Sequence, residues 1–205
     1  MTMGATKRRS FCIDHLQAPR REFHQSQILR AKKRPGHYPS PLGLVEQLKR
    51  ISHLQQDIDQ LDRRLVQLVK QNFQMQAIQA IPGIGPLTAT ALVATATELS
   101  SFDSGRQFAA WLGLTPRQTG TGGKTRQLGI SKRGDAYVRT LLMHGARAVI
   151  CRSRQTAWIQ QLLARRPFSV VVAALANKLA RTVWALLTRG KAFDQAQWEV
   201  AGATV

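Results

Sequence analysis

The run Ile81-Pro82-Gly83-Ile84-Gly85-Pro86-Leu87-Thr88-Ala89 decides how the rest of the chain is read. Isoleucines alternate with glycines, and an apolar, alanine-rich run of helix formers follows, Thr88 to Ala96. Glycine adopts backbone angles closed to other residues, and without a Cβ it lets a second backbone approach closely. A glycine turn that opens a helix leaves the first N–H groups of that helix unpaired. Those groups and the helix dipole together favour a phosphate. The same nine residues also fit a plain tight turn between two packed helices.

The pattern matches the helix-hairpin-helix element, which holds nucleic-acid backbone without reading bases. On that reading Gly83 and Gly85 present backbone N–H groups to one phosphate. Composition supports a polyanionic partner. The 205 residues carry 30 Lys and Arg against 11 Asp and Glu, a formal net charge of +19. An excess of that size on a small chain favours nucleic acid first and an anionic membrane surface second. A hydrophobic content of 43% is enough for one compact domain with an extended element.

Several classes fall away. Cys12 and Cys151 are the only cysteines, far apart and in unrelated contexts, which argues for a reducing compartment and against a disulfide framework or zinc site. His15, His24, His37, His53 and His144 lack metal-ligand spacing. The most apolar run, 168–187, is interrupted by Asn177, Lys178 and Arg181, so it reads as a buried helix rather than a membrane span. No apolar signal-peptide core follows the basic N-terminus, so the expected location is cytoplasmic and nucleoid-associated.

Outward from the glycine turn, residues 1–40 read as a poorly structured basic arm, with Lys7-Arg8-Arg9, Arg20-Arg21 and Lys32-Lys33-Arg34 among prolines and glycines. Residues 41–78 read as one long amphipathic helix. Ile51, Leu54, Ile58, Leu61, Leu65 and Leu68 recur at alternating three- and four-residue steps, the seam of a coiled coil. Self-association through residues 44–73 and packing within the chain are both open. Helical patterns then recur at 87–99, 105–112, 135–150, 156–164 and 168–187, with a glycine-rich loop over 113–134 and a tail at 191–205. No strand pattern convinces outside a hairpin in the 113–130 loop. The expected fold is all-α: a coiled-coil-like helix followed by a helical domain, 79–190, that contains the helix-hairpin-helix.

The loop carries the candidate chemistry. Between Gly105 and Arg166 there are twelve Lys and Arg and one acid, Asp135. Lys124, Arg126, Lys132, Arg133 and Arg139, with Arg117, crowd the loop and its exit. Cations beside a backbone free to approach a phosphate suit contacts to nucleic-acid backbone. A solvated basic loop is the plainer alternative.

Here a resemblance becomes specific. The run 81–89 is joined in order by Phe108-Ala-Ala-Trp-Leu-Gly-Leu-Thr-Pro-Arg-Gln, by Gly122-Gly-Lys-Thr-Arg-Gln-Leu-Gly-Ile-Ser-Lys-Arg-Gly-Asp, and by Val138-Arg-Thr-Leu-Leu-Met-His-Gly-Ala-Arg. Together they resemble the C-terminal domain of bacterial insertion-sequence transposases of the IS-one-ten, IS-one-sixteen and IS-nine-oh-two type, related to the Piv DNA invertases. Asn177-Lys-Leu-Ala-Arg181 and Trp184-Ala-Leu-Leu are similar to that family's closing helix. The resemblance extends over about residues 44–190.

The resemblance implies DNA as partner, a structured guide RNA in some members, and a serine nucleophile in this domain. It also implies an N-terminal ribonuclease-H-like domain with four acidic residues for a divalent metal, magnesium. Only Asp14, Glu22 and Glu46 precede residue 50, so no cofactor is expected in this chain and the acidic domain is expected to be absent. After Pro116 the chain reads Arg-Gln-Thr-Gly-Thr-Gly-Gly, which puts Thr119 or Thr121 where the family has serine. Threonine carries a hydroxyl, but its β-methyl crowds attack. Ser131 lies in a separate block, where contact with backbone or phosphate fits better. The expected function is the DNA-binding part of a transposase, not self-sufficient in catalysis. Its alternatives are a non-enzymatic nucleic-acid-binding module and a coiled-coil interaction protein with incidental charge.

Overall fold

The computed structural model describes residues 41–95, 99, 101–121, 123–152, 156–190 and 193–200. The basic arm read over 1–40 lies outside them. The chain divides into two compact units, Met1–Leu61 and Asp62–Val205. The class is all-α, with a single two-stranded hairpin among the described residues.

Helix α1, Pro41–Gln71, carries the heptad pattern. Its apolar seam is open to solvent: Leu44, Leu48, Ile51, Leu54, Ile58 and Leu61 are 43–56% exposed. The helix stops earlier than its periodicity suggests. Asn72 adopts an extended conformation, and its side chain accepts from the N–H groups of Gln74 and Met75. An asparagine that satisfies the orphan donors of a new helix start outweighs the apolar repeat, so α2, Phe73–Gln79, begins afresh.

The second unit is built around α7, Phe168–Arg189. Val171, Val172, Leu175, Ala176, Leu179, Ala180, Val183 and Leu186 form its buried stripe, at the three- and four-residue spacing of one helix face. Against it pack α5, Ala136–Cys151, and α4, Gly105–Trp111, with α2 and α6, Ala157–Arg165, at its flanks. Helix α3, Pro86–Ala94, packs on α2 and α5. The core joins Ile78, Ile81, Leu92, Phe108, Leu112 and Leu142 to the α7 stripe, all fully buried. Helix α7 is long and apolar enough to cross a membrane, but half of its apolar window is buried by these neighbours, as in a core helix.

Two stretches differ from expectation. Helix α3 ends at Ala94 rather than at Leu99; its C-cap, Thr95, keeps right-handed helical angles and its hydroxyl donates to the Ala91 carbonyl at 2.9 Å. Within the stretch read as a tail, α8, Gln195–Val200, is helical, and Trp198 is 4% exposed. Cys151, the last residue of α5, is half-buried; Cys12 lies outside the described residues.

Candidate nucleic-acid interface

The glycine-rich loop folds into a hairpin of β1, Pro116–Thr121, and β2, Lys124–Ile130. Its antiparallel register sets Thr121 opposite Lys124, Thr119 opposite Arg126 and Gln118 opposite Gln127, with an irregularity between Pro116 and Gln118. Gly123 supplies the positive φ of 79° that a tight hairpin turn needs. Directly opposed residues project to one face of the ribbon, and residues two apart share it. Thr119, Lys124 and Arg126 therefore lie on a common face. All three are exposed, as are Arg117 and residues 126–129, so the hairpin stands out from the helical body.

Its base is fixed to that body. Ser131 N–H donates to the Thr115 carbonyl at 2.9 Å and Lys132 N–H to the Gly113 carbonyl at 3.1 Å. Gly134 lies so close to the Trp111 carbonyl that a Cβ there would collide with it, and its φ is 72°. Between these anchors Lys132 is held at φ 57°, the one described non-glycine residue with positive φ. A left-handed conformation costs an ordinary residue roughly 1–2 kcal/mol. The flanking hydrogen bonds hold it there, and the Lys132 and Arg133 side chains leave the same rigid corner, both exposed.

Asp135 ends that corner as the N-cap of α5, accepting from the N–H groups of Tyr137 and Val138 at 2.7 and 3.1 Å. The one carboxylate of this region is thus committed to a helix start. Arg139 is committed too: its Nη1 donates to the Leu112 carbonyl at 3.0 Å and the Arg133 carbonyl at 2.9 Å. Of the cations expected to bind phosphate, this one ties the loop ends together.

Beside the corner lies a cleft of about 260 Å3 lined by Lys132, Arg139, His144 and Arg147, over Ile130 and Met143. His144 and Arg147 were not singled out from sequence. The signal was available: Arg139, Met143 and Arg147 follow at four-residue steps and Thr140 and His144 at another, which places all five on one helical face.

The glycine turn sits elsewhere. Gly83 has φ 89°, and a Cβ there would lie 2.7 Å from the Gly145 carbonyl oxygen and 2.8 Å from Val149 Cγ2. At about 100° per residue, Gly145 falls on the side of α5 opposite the cleft face, roughly 170° away. Its helical neighbours there, Val138, Leu142, Ala146 and Val149, are buried. Gly85 is the N-cap of α3 with no side-chain cap, and a Cβ on it would meet nothing within 4 Å. The structure therefore gathers Thr119, Lys124, Arg126, Lys132 and Arg133 at the hairpin and leaves Gly83 and Gly85 on the far side of α5.

Thr119 makes no side-chain hydrogen bond among the described residues, so no base is set against its hydroxyl; Thr121 is placed by its backbone pairing alone. No group of three or more His, Cys, Asp or Glu side chains converges among the described residues, so they do not fit a divalent metal.

Residues 75–163, from α2 through most of α6, match the model of the transposase IS116/IS110/IS902 family. This segment is a domain of that family. Among relatives, a probable family 20 transposase of Pseudomonas aeruginosa is 49% identical over 162 residues, 76% of this chain and 48% of the relative. The transposase for insertion sequence element IS1111A of Coxiella burnetii is 38% identical, over 74% of this chain and 45% of the relative. A pilin gene-inverting protein of Moraxella lacunata is 25% identical, over 85% and 56%. The chain spans about half the length of the curated relatives it matches. The family segment contains the whole hairpin, the corner at Lys132 and Arg133, and the cleft along α5.

Proposed function

We propose that this chain supplies the DNA-binding part of a transposase, gripping duplex backbone with the basic hairpin. The observation that carries the reading is the rigid corner: Lys132 and Arg133 leave a segment pinned on both sides, with Lys124 and Arg126 on the ribbon above. The nearby Asp135 is withdrawn into a helix cap. Fixed cations without opposing acids suit phosphate contacts, which position a protein on DNA without reading sequence. The uncapped start of α3 at Gly85, in the helix-hairpin-helix reading, would take a separate phosphate across α5. The membership of the family segment supports DNA over other polyanions.

Thr119 and Thr121 are the hydroxyls at the family's serine position. With no base against Thr119 and no carboxylate cluster among the described residues, the chain alone binds DNA and does not break it. The open seam of α1 pairs with a second copy, which brings two hairpins to one DNA. The location that suits this work is the nucleoid. The test is binding of the purified chain to duplex DNA and to structured RNA across salt, beside supercoiled plasmid with magnesium. Tight, salt-steep binding to duplex with the plasmid uncut is expected; no binding to duplex refutes the reading, and cutting by the chain alone refutes its catalytic half.

A further inference from the structure

A second cleft, sharing no residue with the first, opens between α4, α7 and α8. Its volume is about 750 Å3, within the range of sites that enclose ligands of nucleotide size. Arg106, Arg181 and Arg189 line it together with Trp184, Phe193 and Trp198. The three arginines are exposed, whereas Trp184 and Phe193 are half-buried and Trp198 is buried. The Arg189 guanidinium lies 5.9 Å from the Trp184 ring centre.

The aromatic wall is held in place from behind. Trp184 Nε1 donates to the Leu99 carbonyl at 3.3 Å, and Phe193 packs on Trp198 with ring centres 5.9 Å apart. Lys178 is the anchor of this corner. Its ammonium donates to the Trp198 carbonyl at 2.7 Å and sits 4.3 Å from the Trp198 ring centre and 5.0 Å from that of Trp158. The acid in the lining, Asp194, accepts from Ala196 N–H at 2.9 Å and so caps the start of α8.

We propose that this cleft is a second nucleic-acid site, one that takes a single strand with its bases unstacked. Arg106, Arg181 and Arg189 meet the phosphates, and a base lies against Trp184 and Phe193. The argument is the pairing of charge with aromatic surface. Duplex backbone is held by cations alone, as at the hairpin, and its bases are stacked out of reach of a recess. A single strand offers both a phosphate chain and open ring faces, and basic grooves with aromatic platforms are what hold it. The site would hold an unpaired segment while the hairpin holds the flanking duplex.

The experiment uses the full chain, a dT 20-mer, a U 20-mer and a 20-bp duplex, titrated across NaCl. The variants are Arg106→Ala with Arg181→Ala and Arg189→Ala, the hairpin variant Lys132→Ala with Arg133→Ala, and Trp184→Phe. Three single-strand phosphate contacts imply that the cleft variant lowers the salt slope by about 2 and affinity for the single strand at least about tenfold. Duplex affinity should change less than about threefold in that variant, while the hairpin variant loses duplex. Quenching of tryptophan fluorescence by the single strand should shrink in Trp184→Phe. Either 20-mer behaving this way supports the site and identifies its sugar preference. Absence of single-strand binding, or single-strand affinity that follows the hairpin variant and ignores the cleft variant, overturns it. Failure of the hairpin reading shows separately, as duplex binding untouched by Lys132→Ala with Arg133→Ala.

Discussion

The backbone of Gly83 lies against that of Gly145 so closely that a Cβ on either would meet the carbonyl of the other. That contact docks the turn between α2 and α3 onto α5 and gives the glycines of the opening motif different duties. Gly83→Ala must strain a φ of 89° and push α5 away, a loss of about 3 kcal/mol. Gly85→Ser has room, and its hydroxyl caps α3, so stability rises by about 0.3 kcal/mol. Urea denaturation separates the two. If α3 takes a phosphate, the same serine weakens duplex binding because it occupies the donors.

Lys132→Gly removes the cation without the usual cost of a glycine, because the left-handed backbone at that position already penalises any side chain. Melting should stay within about 1 kcal/mol of the parent, while the duplex salt slope falls by about 1. A large loss of stability would mean that the side chain, not the flanking hydrogen bonds, holds the corner.

The seam of α1 predicts self-association. Sedimentation of the full chain should show mass that grows with concentration, and Leu54→Lys with Leu61→Lys should abolish it without shifting the unfolding of the body. A parent chain that is monomeric at every concentration rejects the pairing.

Burial between Trp158 and Trp198 lowers the pKa of Lys178 below its ordinary 10.5. The unfolded chain then binds more protons than the folded one between the lowered value and 10.5, so stability rises with pH across that window. The penalty is fully present below the lowered value. Lys178→Met should flatten this alkaline rise in denaturation series; an unchanged rise would place its origin in another group.

Much of this was legible because its causes are local. The heptad of α1 and the apolar stripe of α7 follow from periodicity, and Thr119, Lys124 and Arg126 followed from a glycine-rich run between helical patterns. Asn72 was missed because one capping side chain interrupts a repeat that otherwise continues. The burial of Trp198 was not legible, since it depends on Lys178 and Trp158, remote in sequence. Nor was the engagement of Arg139 with the Leu112 carbonyl, 27 residues away. The separation of the glycine turn from the hairpin needed the two faces of α5, which only the packing defines.

The most direct test of the account is the salt dependence of duplex binding for the parent chain and for Lys124→Ala with Arg126→Ala, Lys132→Ala and Arg133→Ala. If these side chains meet phosphates, the slope falls by about 3 to 4 and affinity at moderate salt by at least about a hundredfold, with the helical fold retained by circular dichroism. A folded variant that keeps both slope and affinity would contradict the hairpin as the surface that holds DNA.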